Sequence, residues 1–119
     1  MAVVLVIDEN IEKANELSEL LVILGHEVYA VCESHTAIDF INRKFPAFDA
    51  IFVSFAMSDI PGSSVAAFAK EGNRSIKVVM LTFSNLTKEQ MGGVVDDVIC
   101  RGEVLDPRTV VMTLNTIGI

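Results

Sequence analysis

Nowhere does this 119-residue sequence hold the ~20 consecutive apolar residues needed to cross a bilayer, which excludes a helical membrane span. The N-terminus lacks the basic opening of a secretory signal, and Asp8-Glu9 interrupts its apolar run almost at once. Basic residues are scarce. Nine Lys and Arg stand against 16 Asp and Glu, the net charge is −7, and no basic run exists. That balance argues against affinity for nucleic acid or anionic lipid through the overall field. Cysteine is limited to Cys32 and Cys100, without Cys-x-x-Cys spacing, so the expectation is two small buried hydrophobes in a reducing cytosol. A Gly-rich phosphate loop, a Gly-x-Ser-x-Gly elbow and a Cys-x5-Arg nucleophile loop are all missing. These absences point to a cytoplasmic protein without an obvious catalytic motif.

What is present is apolar. Hydrophobic residues make up 51% and charged residues 21%, the composition of a globular chain and not of a disordered one. The length suffices for one core and is too short for two, so one domain spanning 1–119 is expected. Short β-branched runs occur at Val3–Ile7, Glu27–Val31, Ala50–Phe55, Lys77–Leu81 and Asp97–Cys100. Helical spacing fills the intervals. Ile11, Ala14, Leu17, Leu21 and Leu24 trace a first helix ended by Gly25. Ala37, Phe40 and Ile41 mark a second, with Ser34 as N-cap and Pro46 as its stop. Val65, Ala66, Phe68 and Ala69 suggest a third that ends near Gly72. Leu86, Glu89 and Gln90 suggest a fourth that Gly92-Gly93 truncates. Asp106 and Pro107 open a fifth, carrying Val110, Val111, Leu114 and Ile117.

Strict βα alternation with uniformly apolar strands predicts a parallel sheet covered on both faces, with right-handed crossovers. In such an open doubly wound sheet the crevice lies at the carboxyl ends of the strands. The residues expected there are Asp8-Glu9-Asn10, Ser54-Phe55-Ala56, Thr82-Phe83-Ser84 and Arg101-Gly102-Glu103. An acidic pair, two hydroxyls and a cation would converge. Neither His26 nor His35 is expected at a strand carboxyl end.

Over essentially its whole length the chain resembles the receiver domain of two-component response regulators. Val4-Leu5-Val6-Ile7-Asp8-Glu9-Asn10 is similar to that family's first strand and acidic pair. Asp49 to Gly62 aligns without a gap with the third strand and its glycine-ended loop. Val78-Val79-Met80-Leu81-Thr82 resembles the fourth strand with its switch hydroxyl, and Asp96 to Arg101 the fifth strand leading to the family's lysine. The resemblance implies a flavodoxin-like (βα)5 sandwich around a five-stranded parallel sheet. It also implies a Mg2+ site at Asp8, Glu9 and the Ala56 carbonyl.

Departures from that pattern carry the functional expectation. Ser54 occupies the phospho-acceptor aspartate position, Arg101 replaces the lysine, Gly102 the proline after it, and Val98 the strand-five aromatic. A serine hydroxyl is a weak nucleophile unless a base removes its proton. Mg2+ favours octahedral oxygen ligands and loses a charged one here. Three acids and a lysine sum to −2 in the family pattern, whereas Asp8, Glu9 and Arg101 sum to −1. Arg101 is expected to fork onto Asp8 or Glu9 and take the space a metal would use. Thr82 is then a structural hydroxyl, and any Mg2+ binding is weak or absent.

The expected function is that of a degenerate receiver acting in signal transduction by protein contact. Its implied partners are a histidine kinase or an output domain. A homodimer is a further expectation, through the face of the fourth helix, fifth strand and fifth helix, with Met91, Val94, Val95, Val110, Met112 and Thr113. Two other readings stay open: a phosphorylatable receiver with an unusual acceptor, and a flavodoxin-like small-ligand binder. Enzymatic activity is not expected.

Overall fold

Apolar β-branched segments form the inner strands because both of their faces are covered. The computed structural model describes residues 1–44, 46–83, 87–100 and 105–119, with residue 88 described by its backbone. Strands β1 (Val3–Ile7), β3 (Ala50–Ser54) and β4 (Lys77–Thr82) are buried almost end to end. Strands β2 (Glu27–Val31) and β5 (Asp97–Cys100) lie at the two edges and are more open. All pairings are parallel, in the order β2-β1-β3-β4-β5. The five strands expected from sequence are the five observed. β3 stops one residue early, at Ser54, and β4 runs one further, to Thr82.

Two-residue alternation divides the core. Val4, Val6, Ala50, Phe52, Val79, Leu81 and Ile99 face one layer of helices, while Leu5, Ile7, Ile51, Val53, Val78 and Met80 face the other. The first layer is α1 (Ile11–Ile23) and α4 (Pro107–Ile117); the second is α2 (Ser34–Arg43) and α3 (Gly62–Gly72). The doubly wound flavodoxin-like sandwich is therefore the architecture.

Local side chains set the starts of α1 and α4. The Asn10 side chain accepts the Lys13 N–H at 3.2 Å and starts α1. Asp106 accepts the Arg108 N–H at 3.0 Å, with Pro107 at the first helical position of α4. Ser34, expected as the α2 cap, is instead the first helical residue. Glu33 is the N-cap and makes no side-chain cap bond. α2 stops at Arg43 with Lys44 in the left-handed region (φ 61°), before Pro46 is reached. Ala14, Leu17 and Leu21 are buried as the α1 spacing requires, but Ile11 and Leu24 at the ends of that stripe are exposed.

The fourth helix is cut further than expected. A single 3-10 turn, Lys88–Met91, takes its place, held by a Thr87–Gln90 capping box and followed by Gly92 and Gly93 at φ 72° and 81°. Successive positive-φ glycines leave the right-handed helical region and end the turn. Leu86 lies outside the described residues. Both cysteines are exposed, contrary to the expectation of burial. Cys32 follows one edge strand and Cys100 ends the other, paired with Thr82 of β4, so both sit at the margins of the sheet. No helix among the described residues is long and apolar enough to cross a membrane.

Candidate functional site at the strand carboxyl ends

The strand order reverses between β1 and β3: β2 lies on one side of β1, and β3 with β4 and β5 on the other. Crossovers leave in opposite directions from that point and open a crevice at the carboxyl ends. Asp8 follows β1 and Ser54 ends β3. Since Ile7 pairs with Val53, the register brings Asp8 and Ser54 level with each other on adjacent strands. Ser54 pairs with Leu81, so Thr82 stands one residue further out on β4. Asp8, Ser54 and Thr82 are all buried, at 2%, 6% and 4% exposure, which makes this end of the sheet a polar plug on an apolar core. Arg101, with Gly102, lies outside the described residues.

Each acid already has partners. The Asp8 backbone N–H donates to the Val31 carbonyl at 3.1 Å, and its carboxylate accepts the Asn10 N–H at 3.0 Å. Glu9 is exposed, and its two carboxylate oxygens accept the Ser58 N–H at 2.9 Å and the Ser58 hydroxyl at 3.0 Å. This ties the β1–α1 turn to the loop after β3. Ala56, the carbonyl donor of the expected metal set, is exposed in that loop, while Met57 is buried against the α2–α3 layer. Phe55 is partly exposed, and the Phe83 ring after β4 carries the Lys13 ammonium 5.3 Å from its centroid.

Gly62 fixes how tightly the loop returns. Its N–H donates to the Phe55 carbonyl at 3.3 Å, and a Cβ built there would stand 2.1 Å from the Ser54 carbonyl oxygen. Only glycine permits this approach. The chain leaving Ser54 is thus folded straight back over the end of β3.

The other half of this loop left no mark in the sequence pattern. Asp59 accepts the backbone N–H groups of Ser34 and His35 at 3.2 and 3.0 Å, and its Oδ2 lies 2.9 Å from His35 Nδ1. Ser34 Oγ donates to the Ile60 carbonyl at 2.8 Å. His35, expected away from the strand carboxyl ends, lies on that side of the sheet in the first turn of α2. His26, at the opposite end, is half-buried and accepts the Ala2 N–H through Nδ1. No sequence spacing signals a pairing across 24 residues.

The whole-chain likeness to solved structures decides the fold family. The chain superposes on a response regulator receiver domain protein from Clostridium thermocellum with a TM-score of 0.85, covering 98% of this chain and 94% of that one at 18% identity. It has the receiver fold. The chemotaxis response regulator CheY4 of Vibrio cholerae matches with a TM-score of 0.85 at 22% identity, covering 98% of both chains. TrrA from Thermotoga maritima, solved in complex with Mg(2+)-BeF, matches at 0.80 and 19% identity over 98% of this chain and 99% of that one. By sequence, no family model and no curated protein matches. Within the receiver fold Asp8 and Glu9 fall at the β1 end, Ser54 at the β3 end and Thr82 at the β4 end. This end of the sheet offers the carboxylates of Asp8 and Glu9, the latter with both oxygens engaged by Ser58, and a hydroxyl at Ser54. Among the described residues no three His, Cys, Asp or Glu side chains gather as a metal cluster.

Proposed function

We propose that this chain is a degenerate receiver: a signalling module that works by protein contact and is not phosphorylated at position 54. The observation that carries the reading is a buried serine, not a carboxylate, at the tip of the middle strand. Direct attack on phosphorus from that place needs either an anionic oxygen or a base to make one. Of the two histidines, His26 is at the other end of the sheet and His35 is bound to Asp59. The module is assigned no catalysis of its own.

Mg2+ binding at Asp8, Glu9 and the Ala56 carbonyl is proposed to be weak or absent. Losing one carboxylate removes charge that a small hard cation needs, and Glu9 would have to release Ser58 to serve. TrrA's complex with Mg(2+)-BeF marks the chemistry from which this chain departs. The proposed location is the cytoplasm, and the proposed partners are a histidine kinase, an output domain or a second copy.

The contact surface favoured for a partner lies on α4 and the segment before β5. Val111 and Met112 are 39% and 68% exposed, and Met91 and Val94 are half-buried beside the 3-10 turn. Val95, Val110 and Thr113, expected on the same face, are buried and belong to the core. Thr113 faces inward because it sits one turn from both Val110 and Ile117 on the buried stripe of α4.

The deciding experiment is incubation with acetyl phosphate and Mg2+, read by intact mass. The expected result is an unmodified chain. A stable adduct of phosphoryl mass on the wild-type protein would refute the reading and favour a receiver with an unusual acceptor.

A further inference from the structure

The loop between β3 and α3 is fastened at three consecutive residues. Glu9 holds Ser58 from one side. Asp59 holds the first turn of α2 through two backbone N–H groups and His35 Nδ1, and the Ile60 carbonyl accepts the Ser34 hydroxyl. α2 has no capping side chain and no acid in its first turn. The orphan N–H groups of that helix are satisfied by a carboxylate from 24 and 25 residues downstream. One imidazole stands in the middle of this junction: Nδ1 faces Asp59 at 2.9 Å and Nε2 faces Glu33 at 3.7 Å.

We propose that His35 and Asp59 form a pH-sensitive clamp, fastening the loop that follows Ser54 to the start of α2 and loosening as His35 gives up its proton. With Nδ1–H donating to Asp59, the proton is taken up and released at Nε2, opposite Glu33. The charged groups facing the imidazole are Asp59 from the loop, Glu33 before α2 and Asp39 one turn along it; Glu9 holds the adjoining Ser58. All are acids, so each favours the imidazolium.

The direction of titration agrees with this geometry. The hydrogen bond to Asp59, and then the Glu33 charge, raise the His35 pKa above its ordinary 6.5, against a smaller opposing effect of burial. Asp59 moves the other way: hydrogen bonding from the His35 N–H holds its carboxyl well below the usual range, despite partial burial. A raised His35 pKa contributes stability that is fully present below 6.5 and lost as pH rises through the raised value. A lowered Asp59 pKa contributes stability present above 3.8 and lost only in strong acid. The clamp is therefore tightest between those two ordinary values and slackens as pH rises through the raised His35 pKa. Because His35 is 57% exposed, added salt weakens it.

The test is an NMR titration of the full chain, following the His35 ring and the amide protection of Ser34, His35 and Ser58. Wild type should give a His35 midpoint above 6.5, with loss of Ser34 and His35 protection at the same midpoint. Asp59→Asn should bring the midpoint down towards 6.5. His35→Gln, which keeps a donor but cannot titrate there, should make the protection independent of pH. A His35 midpoint unchanged by Asp59→Asn, or amides whose protection stays flat through the His35 titration, would overturn the proposal. His35 is exposed, so the Gln variant retains the fold and keeps the test decisive.

Discussion

At the scale of single residues, Ser54 and Gly62 are bound to each other by space. The loop leaving Ser54 folds back so closely that a methyl group at position 62 would meet the Ser54 carbonyl oxygen. Since the obstacle is buried backbone and not a flexible side chain, Gly62→Ala should cost roughly 3 kcal/mol of stability. Urea unfolding checks this, and an unchanged midpoint would contradict the close approach. Ser54→Asp brings a third carboxylate beside Asp8, level with it across β1 and β3. Without metal the new charge, buried at this end of the sheet, should destabilise the fold by roughly 2 kcal/mol. Millimolar Mg2+ should restore stability to that variant and leave wild type unmoved, as read by thermal melts with and without EDTA. The serine at the tip of the middle strand was legible in the sequence. The partners of Glu9 were not, because Ser58 is a loop hydroxyl whose direction depends on how the loop returns.

At the scale of elements, side chains from distant segments join neighbouring pieces at both ends of the sheet. At the amino ends, Asp96 accepts the Lys70 ammonium at 2.7 Å and the Val78 N–H at 2.8 Å, and Lys70 also donates to the Ile76 carbonyl. This network ties α3 to the starts of β4 and β5. Burial alone would raise the Asp96 pKa, but the hydrogen bonds from Lys70 and the Val78 N–H outweigh it and the net shift is downward. A lowered folded pKa means the contribution is present above 3.8 and lost as pH falls through the lowered value. Asp96→Ala should therefore cost about 1 kcal/mol near neutrality, after discounting for its partial exposure, with the gap to wild type closing in acid. Denaturant midpoints across a pH series measure it; a gap independent of pH would point to packing alone. The fourth helix shows how sequence and structure share an element. Gly92-Gly93 announced a truncation, while the collapse to one 3-10 turn also required Thr87 and Gln90 to close a capping box.

At the scale of the whole molecule, the receiver fold buries two apolar layers and leaves one helix with a second apolar side. Leu114 closes the core between α4 and the sheet, whereas Met112 projects outward two positions away. Leu114→Ala should lower stability by about 2–4 kcal/mol. Met112→Glu should alter it by under about 0.5 kcal/mol while weakening association with a partner or second copy. Thermal melts combined with sedimentation or pulldown separate the two effects. An interface that survives Met112→Glu would remove this face from the proposal.

The sequence by itself determined the five strands, their parallel arrangement and the identity of the residue at the tip of the middle one, because burial on both faces demands uniform apolar runs and βα alternation admits few topologies. It also carried the Asp106 cap, whose partner is two residues away. Tertiary structure alone decided which side of α4 is covered, why both cysteines face outward, and that Asp59 caps α2 in place of Ser34. Those outcomes depend on segments distant in sequence that meet only in the folded chain. Local periodicity carries no record of such a meeting.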